Sequence, residues 1–363
     1  MAVQTTVSEE SIERMQGAAK GAPAKKKLVR RTERDRSQQL RRAVQFAFLA
    51  LNVWMGVQFY VFVRYFEAGG HAKWASRPAG VEGWLPIAAM MNLKATLLTG
   101  KLPSVHPAGM FLLIAFLAIS VLMRKAFCGW LCPVGTVSEY LWRVGKKIFR
   151  RNFTVPRGVD IPLRGLKYLL LSLFVYAVVH MPVNELIGFL HGPYGLIADV
   201  KMLNFFRFMS TAALMVVAGL VIASMFVQNF WCRYLCPYGA LMGLAALFSP
   251  LRIRREESAC IDCGKCAKAC PAALPVDKLV TIKSAECTAC MECVAVCPAK
   301  DALAMTVMAP GKRRVPAWAM AAGIAILFFG VVGWAKWTGH WDSHIPRQVY
   351  LELVPRAQEL QHP

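Results

Sequence analysis

Apolar and polar positions in this chain are sorted into long blocks rather than short periods. Five blocks, Ala43–Val63, Pro107–Met123, Tyr168–Val183, Met209–Val227 and Val315–Ala335, contain no Lys, Arg, Asp or Glu. A helix crossing the hydrocarbon core of a bilayer needs roughly 17–25 mostly apolar residues. The blocks therefore predict an all-α polytopic membrane core of about five transmembrane helices. A sixth stretch, Trp84–Leu98, is interrupted by Pro86 and Lys94 and reads as an interfacial helix.

Charge adds an orientation. The chain carries 43 Lys+Arg against 21 Asp+Glu, a formal net charge of +22. Basic residues number 11 in 1–42, 10 in 124–167 and 12 in 228–314, against 5 in 64–106, 2 in 184–208 and 3 in 336–363. That alternation of 33 against 10 fits five spans. Basic loops stay on the cytoplasmic side, which predicts an inner-membrane protein with a cytoplasmic N-terminus and a periplasmic C-terminus. Topology thus accounts for the excess charge. The basic run Lys25–Lys27, Arg30 and Arg31 has no nucleic-acid-binding signature beside it, so no nucleic-acid partner is expected. Residues 1–42 read as a disordered tail resting on anionic lipid. The first block starts about forty residues in and is too long for a cleaved signal peptide, so it is expected to be retained.

The 12 cysteines fall into four clusters with none left over. Cys260, Cys263, Cys266 and Cys270, then Pro271, spell C-x2-C-x2-C-x3-C-P, and Cys287, Cys290, Cys293 and Cys297, then Pro298, repeat it. Three thiolates on one tight loop reach three corners of an iron–sulfur cubane, and the fourth cysteine of each run serves the other cluster. This predicts two [4Fe-4S] clusters, one on Cys260, Cys263, Cys266 and Cys297, the other on Cys287, Cys290, Cys293 and Cys270. Zinc sites space cysteine pairs more widely. The expected host is a small α+β bacterial 2[4Fe-4S] ferredoxin-like domain, two short strands and two short helices, inserted between the fourth and fifth spans.

The other clusters form a second repeat. Phe127-Cys128-Gly129-Trp130-Leu131-Cys132-Pro133-Val134-Gly135 aligns with Trp231-Cys232-Arg233-Tyr234-Leu235-Cys236-Pro237-Tyr238-Gly239. Each follows a span that exits to the cytoplasm, and i, i+4 spacing puts each pair of sulfurs on one helical face. Cys128, Cys132, Cys232 and Cys236 can supply a third metal or redox site, act as dithiols, or serve as small buried residues of a Pro- and Gly-defined turn. Interfacial helices are expected after each turn, near Val134–Val144 and Tyr238–Leu247.

With these motifs in hand, the chain resembles the NapH/NosR-type polyferredoxin membrane proteins over roughly residues 80–340. The resemblance implies an electron carrier serving periplasmic reductases, or an accessory factor keeping such enzymes active. It implies the eight cysteines from Cys260 to Cys297 as cluster ligands and the other four as membrane-edge thiols. Two departures stand out: no large extracytoplasmic flavin-binding domain, and five spans where NapH-type members have four.

The remaining features are less specific. His106 and His180 lie near the outer ends of the second and third spans and His191 follows in the next loop, and a facing pair of histidines can ligate haem or contact a quinone. Trp130, Trp231 and Tyr234 read as an interfacial aromatic belt. Lys265, Lys268, Lys278 and Lys283 either attract an acidic donor protein or form a solvated face. The tail beyond Gly339, with His340 and His344, reads as an amphipathic piece on the membrane. There is no nucleotide-binding, hydrolase or zincin motif, so no catalytic residue and no substrate site of its own are expected. The domain reading is 1–42 tail, 43–255 four-span core, 256–308 ferredoxin domain, 309–337 fifth span and 338–363 periplasmic tail. The function expected is electron transfer between a cytoplasmic or quinol donor and a periplasmic redox enzyme system, in the lipid bilayer, with redox partner proteins on both sides and within a larger complex. The alternative is a maturation or redox-regulatory factor for a periplasmic metalloenzyme.

Overall fold

The computed structural model describes residues 29–32, 35–150, 153, 155–308 and 313–361. Residues 1–28, most of the expected tail, lie outside the described residues. In chain order the helices are α1 (Ser37–Glu67), α2 (Pro86–Thr99), α3 (Pro107–Met123), α4 (Pro133–Phe149), α5 (Arg157–His180), α6 (Val183–His191), α7 (Ala198–Arg207), α8 (Thr211–Phe226) and α9 (Pro237–Ala245). Then come β1 (Leu251–Arg255), α10 (Lys265–Ala269), α11 (Glu292–Ala295), β2 (Leu303–Val307), α12 (Ala317–Trp337) and α13 (Arg347–Leu353).

Helices α1, α5 and α12 are long and apolar enough to cross a membrane. Helices α7 and α8 meet that test only together, and they bend by 81° at the break between them. Helix α3 has 17 residues, about 26 Å of rise. It is the central helix: Ala108, Met110, Leu113, Ala115 and Ile119 are almost wholly buried, and α2, α12 and the 3-10 turn Ala79–Trp84 pack against it. A helix wrapped by protein does not have to match the bilayer by its own length.

Helix α1 starts at Ser37, six residues before the apolar block, because the Asp35 carboxylate accepts the Ser37 N–H at 2.7 Å. Just before it, the backbone adds an edge to the ferredoxin-like module. Arg31 N–H donates to Pro298 O at 3.0 Å and Lys300 N–H to Val29 O at 2.9 Å. In the module β1 and β2 run antiparallel, with Leu251 opposite Val307 and Arg255 opposite Leu303. Helices α10 and α11 pack on each other.

At the far end of α1, Phe62 and Phe66 hold the Tyr350 ring of α13 at 5.2 and 5.4 Å. Lys201 Nζ donates to the carbonyls of Ala357 and Leu360, both at 2.7 Å. The tail beyond Gly339 therefore packs back onto α1 and α7, with Tyr350 seated between two phenylalanines.

Lys94, an interruption in the sequence pattern, has a structural task. Its ammonium donates to the carbonyls of Val178, Val179 and Met181 at 3.0, 2.8 and 2.6 Å. It satisfies the C-terminal carbonyls of α5, which no intrahelical donor reaches. Lys94→Met is expected to cost about 1.5–3 kcal/mol, the worth of charge-assisted hydrogen bonds, read as a lower thermal midpoint in detergent. An unchanged midpoint would show that water replaces the ammonium there.

Candidate iron–sulfur and thiol sites

The two loops of the module share one backbone device. In Cys260-Ile261-Asp262-Cys263-Gly264-Lys265-Cys266, Asp262 and Gly264 have φ of 54° and 68°. In the second run Ala289 and Met291 hold the same places at 52° and 58°. Left-handed residues between right-handed ones turn successive amides toward one side, a concavity suited to an anion. Gly264 adopts this conformation without strain, while Asp262, Ala289 and Met291 adopt it against their preference.

These loops gather the cysteines into two cavities. Cys260, Cys263, Cys266 and Cys297 line one. Cys270, Cys287, Cys290 and Cys293 line the other. Each set joins three thiols of one run with the last thiol of the other. Among the described residues no three His, Cys, Asp or Glu side chains converge closely enough for a single metal ion. Four thiols in each cavity are the soft donor set that an iron–sulfur cluster takes. Burial pushes the Cys270 thiol up to about 11 and the Cys290 thiol to about 12, so without bound metal both are neutral near pH 7.

The second cysteine repeat is built differently from a simple helical face. Phe127–Leu131 and Trp231–Leu235 are single π turns, closed by Cys132 N–H to Phe127 O at 2.9 Å and Cys236 N–H to Trp231 O at 3.0 Å. The wider i, i+5 turn replaces the expected α-helical i, i+4 geometry because Pro133 and Pro237 cannot continue the preceding ladder. Each proline instead opens a new helix, α4 or α9, with the preceding cysteine as its N-cap. Gly135 N–H donates to Cys132 Sγ at 3.4 Å and Gly239 N–H to Cys236 Sγ at 3.2 Å. The motif thus aims a backbone donor at a sulfur.

Both repeats meet in one cavity lined by Cys128, Cys132, Cys232 and Cys236, and also by Cys290 of the module. Burial pushes Cys128 up to about 11 and Cys232 to about 12. Lys125 and Glu286 line the same cavity, with Lys125 Nζ 3.8 Å from the Glu286 carboxylate. Lys167 Nζ reaches that carboxylate at 2.5 Å and Tyr168 OH donates to it at 3.1 Å. Burial works to raise the Glu286 pKa, yet the two ammoniums hold it below its ordinary value. Nothing in the sequence pattern singled out Lys125, Lys167 or Glu286. Their only signal is a charge beside a cysteine motif or just before an apolar block.

Trp130 and Tyr234 are about 1% exposed, so they do not form an interfacial belt. Trp130 Nε1–H donates to Ala289 O at 3.0 Å, tying the first π turn to the module. Tyr234 OH donates to Asp160 at 2.7 Å, tying the second turn to α5. The histidines do not converge. His106 is buried, 2.8 Å from Gly195 O and 3.2 Å from Arg77. His180 bonds Tyr176 O and His191 bonds Ile187 O, each within its own helix. Lys265, Lys268, Lys278 and Lys283 are all exposed.

Comparison with known proteins agrees with this geometry. A family model described as a 4Fe-4S binding domain matches residues 105–153 and again 209–256, the two π-turn repeats. A 4Fe-4S dicluster domain matches residues 253–305. YccM of Escherichia coli K12, provisionally named an electron transport protein, is 49% identical over 326 residues, 89% of this chain and 91% of its own. The regulatory protein NosR of Pseudomonas aeruginosa is 32% identical over 44% of this chain and 22% of its own. The ferredoxin-type protein NapH of Haemophilus influenzae is 32% identical over 44% and 52% respectively. No solved structure matches the chain. The 4Fe-4S family matches on this chain and its likeness to these relatives agree, and the chain belongs to the NapH/NosR-type family of 4Fe-4S membrane proteins.

Proposed function

We propose that this protein is a membrane-bound iron–sulfur electron-transfer component linking a cytoplasmic or quinol donor to a periplasmic redox enzyme system. The observation that carries the reading is three cysteine-lined cavities, two of which share Cys290. The Cys260 set and the Cys270 set share the small module, and Cys290 lines both the second cavity and the four-thiol cavity. In this reading Cys260, Cys263, Cys266 and Cys297 hold one [4Fe-4S] cluster. Cys287, Cys290, Cys293 and Cys270 hold the other. Cys128, Cys132, Cys232 and Cys236 form a third redox or metal site. A bound cluster supplies a one-electron site whose potential is set by burial and by hydrogen bonds to its sulfurs. The chain contributes the cradle: left-handed residues turn amides inward, Gly135 and Gly239 donate to sulfur, and Trp130 closes the space between turn and module.

The five-span topology, with the N-terminus and module cytoplasmic and the C-terminus periplasmic, is part of the same proposal. It draws support from residues 29–31 pairing with the module at one end of α1, while α13 packs at the other. A regulatory or maturation role is the second reading, favoured by the name of the NosR relative. A protein needed only while a periplasmic enzyme is being made, and dispensable afterwards, would establish that role instead.

Iron and acid-labile sulfide per chain test the cofactor reading, on anaerobically purified protein beside a variant with Cys128, Cys132, Cys232 and Cys236 changed to Ser. Two clusters account for about eight irons. The parent is expected to exceed that number and the variant to fall back to it. Equal values near eight would remove the third centre, and zinc with little iron would sink the whole reading.

A further inference from the structure

A cavity of about 570 Å³ lies where α1 and α12 begin, against the edge of the module. Arg31, Arg36, Lys300 and Arg314 face it, with Asp35 and Asp301. Arg31 pairs with Asp35 at 2.8 Å and Arg314 with Asp301. Four cations thus face two carboxylates, and Arg36 and Lys300 form no close ion pair among the described residues, Lys300 reaching the neighbouring Asp301 only at longer range. The remaining wall is apolar, including Leu40, Pro316 and Trp318, and Trp318 is 69% exposed. Two surplus cations beside an apolar wall, at the start of two membrane helices, match a ligand that carries phosphate on one side and hydrocarbon on the other. Basic pockets between transmembrane helices take anionic lipid headgroups, and tryptophan favours the headgroup level.

We propose that this cavity is a headgroup site for an anionic phospholipid, with Arg36 and Lys300 on the phosphate and Leu40 and Trp318 on the glycerol and upper acyl chain. The site depends on α1 and α12 lying in the membrane, and not on the electron-transfer role. A soluble acidic metabolite would have no use for the apolar wall, and a zwitterionic lipid would bring its own ammonium up against two cations. Cys297 also lines the cavity, so the lipid would sit directly beside the module.

The test uses the full-length protein with its clusters, reconstituted in phosphatidylcholine nanodiscs doped with rising fractions of phosphatidylglycerol or cardiolipin. Retained lipid is read by native mass spectrometry and iron content is checked in parallel. Wild-type protein is expected to retain anionic lipid selectively. The double variant Arg36→Gln, Lys300→Gln should need about thirtyfold more, two basic contacts at about 1 kcal/mol each, with iron unchanged. Neutralising Lys25, Lys26 and Lys27 should leave the selective retention intact, which separates the cavity from the tail. Equal retention by the double variant would overturn the proposal. So would inorganic phosphate displacing the lipid at millimolar concentration, since that marks a plain phosphate site.

Discussion

Replacing Arg41 with methionine is expected to cost about 3–5 kcal/mol and to loosen the second cysteine cavity. Arg41 is fully buried. Its guanidinium grips Glu139 with two bonds of 2.6 and 2.7 Å, reaches Glu292 at 2.9 Å and donates to Gly129 O at 3.1 Å. Arg143 closes the group by pairing with the same two carboxylates. Two arginines against two glutamates make a neutral set, and removing one partner strands a buried charge. Glu292 stands between Met291 and Cys293, so the stranded carboxylate borders the proposed cluster ligands. Lysine cannot reproduce the two-pronged grip, and Arg41→Lys should fall nearly as far. Adding Glu139→Gln to Arg41→Met removes the uncompensated charge and should restore part of the loss. Thermal midpoints of the three variants, with iron retention, check this.

Acid supplies an independent reading of that network. Burial works to raise the Glu139 carboxyl, and Arg41 nonetheless holds it at about 2, against an ordinary 4.5. A depressed carboxylate contributes fully above its unfolded pKa and loses that contribution as pH falls through the folded one. Wild-type stability should therefore drop between about pH 4.5 and 2. Arg41→Met should lose the larger part of that component and keep the part that Arg143 holds.

Gly129→Ala is expected to separate the first thiol turn from the module. A Cβ on Gly129 would lie 2.5 Å from the Thr288 carbonyl oxygen and 3.2 Å from Thr288 Cβ. Two backbones touch there, so neither can yield by rotating a side chain. Overpacking of this kind costs about 1–3 kcal/mol, and the Trp130 bond to Ala289 should be lost with it. Alkylation of Cys128 and Cys132 by a small maleimide should accelerate at least several-fold over wild type. Trimming Thr288 to alanine relieves the contact with its Cβ but not with its carbonyl, so the double variant should stay impaired. Rescue by Thr288→Ala would show that the side chain, and not the backbone, sets the limit.

What could be read from the sequence is what is local. The ferredoxin spacing, the paired C-x3-C-P turns and the apolar blocks each occupy a short window, and their meaning does not depend on distant residues. The π turns are not legible in the sequence, because C-x3-C spacing alone does not distinguish an i+4 from an i+5 closure. An aromatic beside a membrane exit looks the same in sequence whether it faces headgroups or a core, and Trp130 and Tyr234 face the core. The charge sets were invisible for a deeper reason. Arg41 meets residues 98 and 251 positions away, and Arg77 meets Asp199 122 positions away, so no periodicity or motif links them. Lys94 looked like a break because its reward, three carbonyls of α5, lies in another helix.

The reach of Arg41 has a temporal side. Glu139 follows it by 98 residues and Glu292 by 251. At about 5–20 residues per second of synthesis, the first partner emerges roughly 5–20 s after Arg41 and the second roughly 12–50 s after it. The opening helix is thus committed with half of its buried charge unanswered. The module emerges long after that helix and docks onto it. Docking of the module completes the charge balance around Arg41. Assembly therefore joins two segments made far apart in time, with α1 held incomplete until the module follows it.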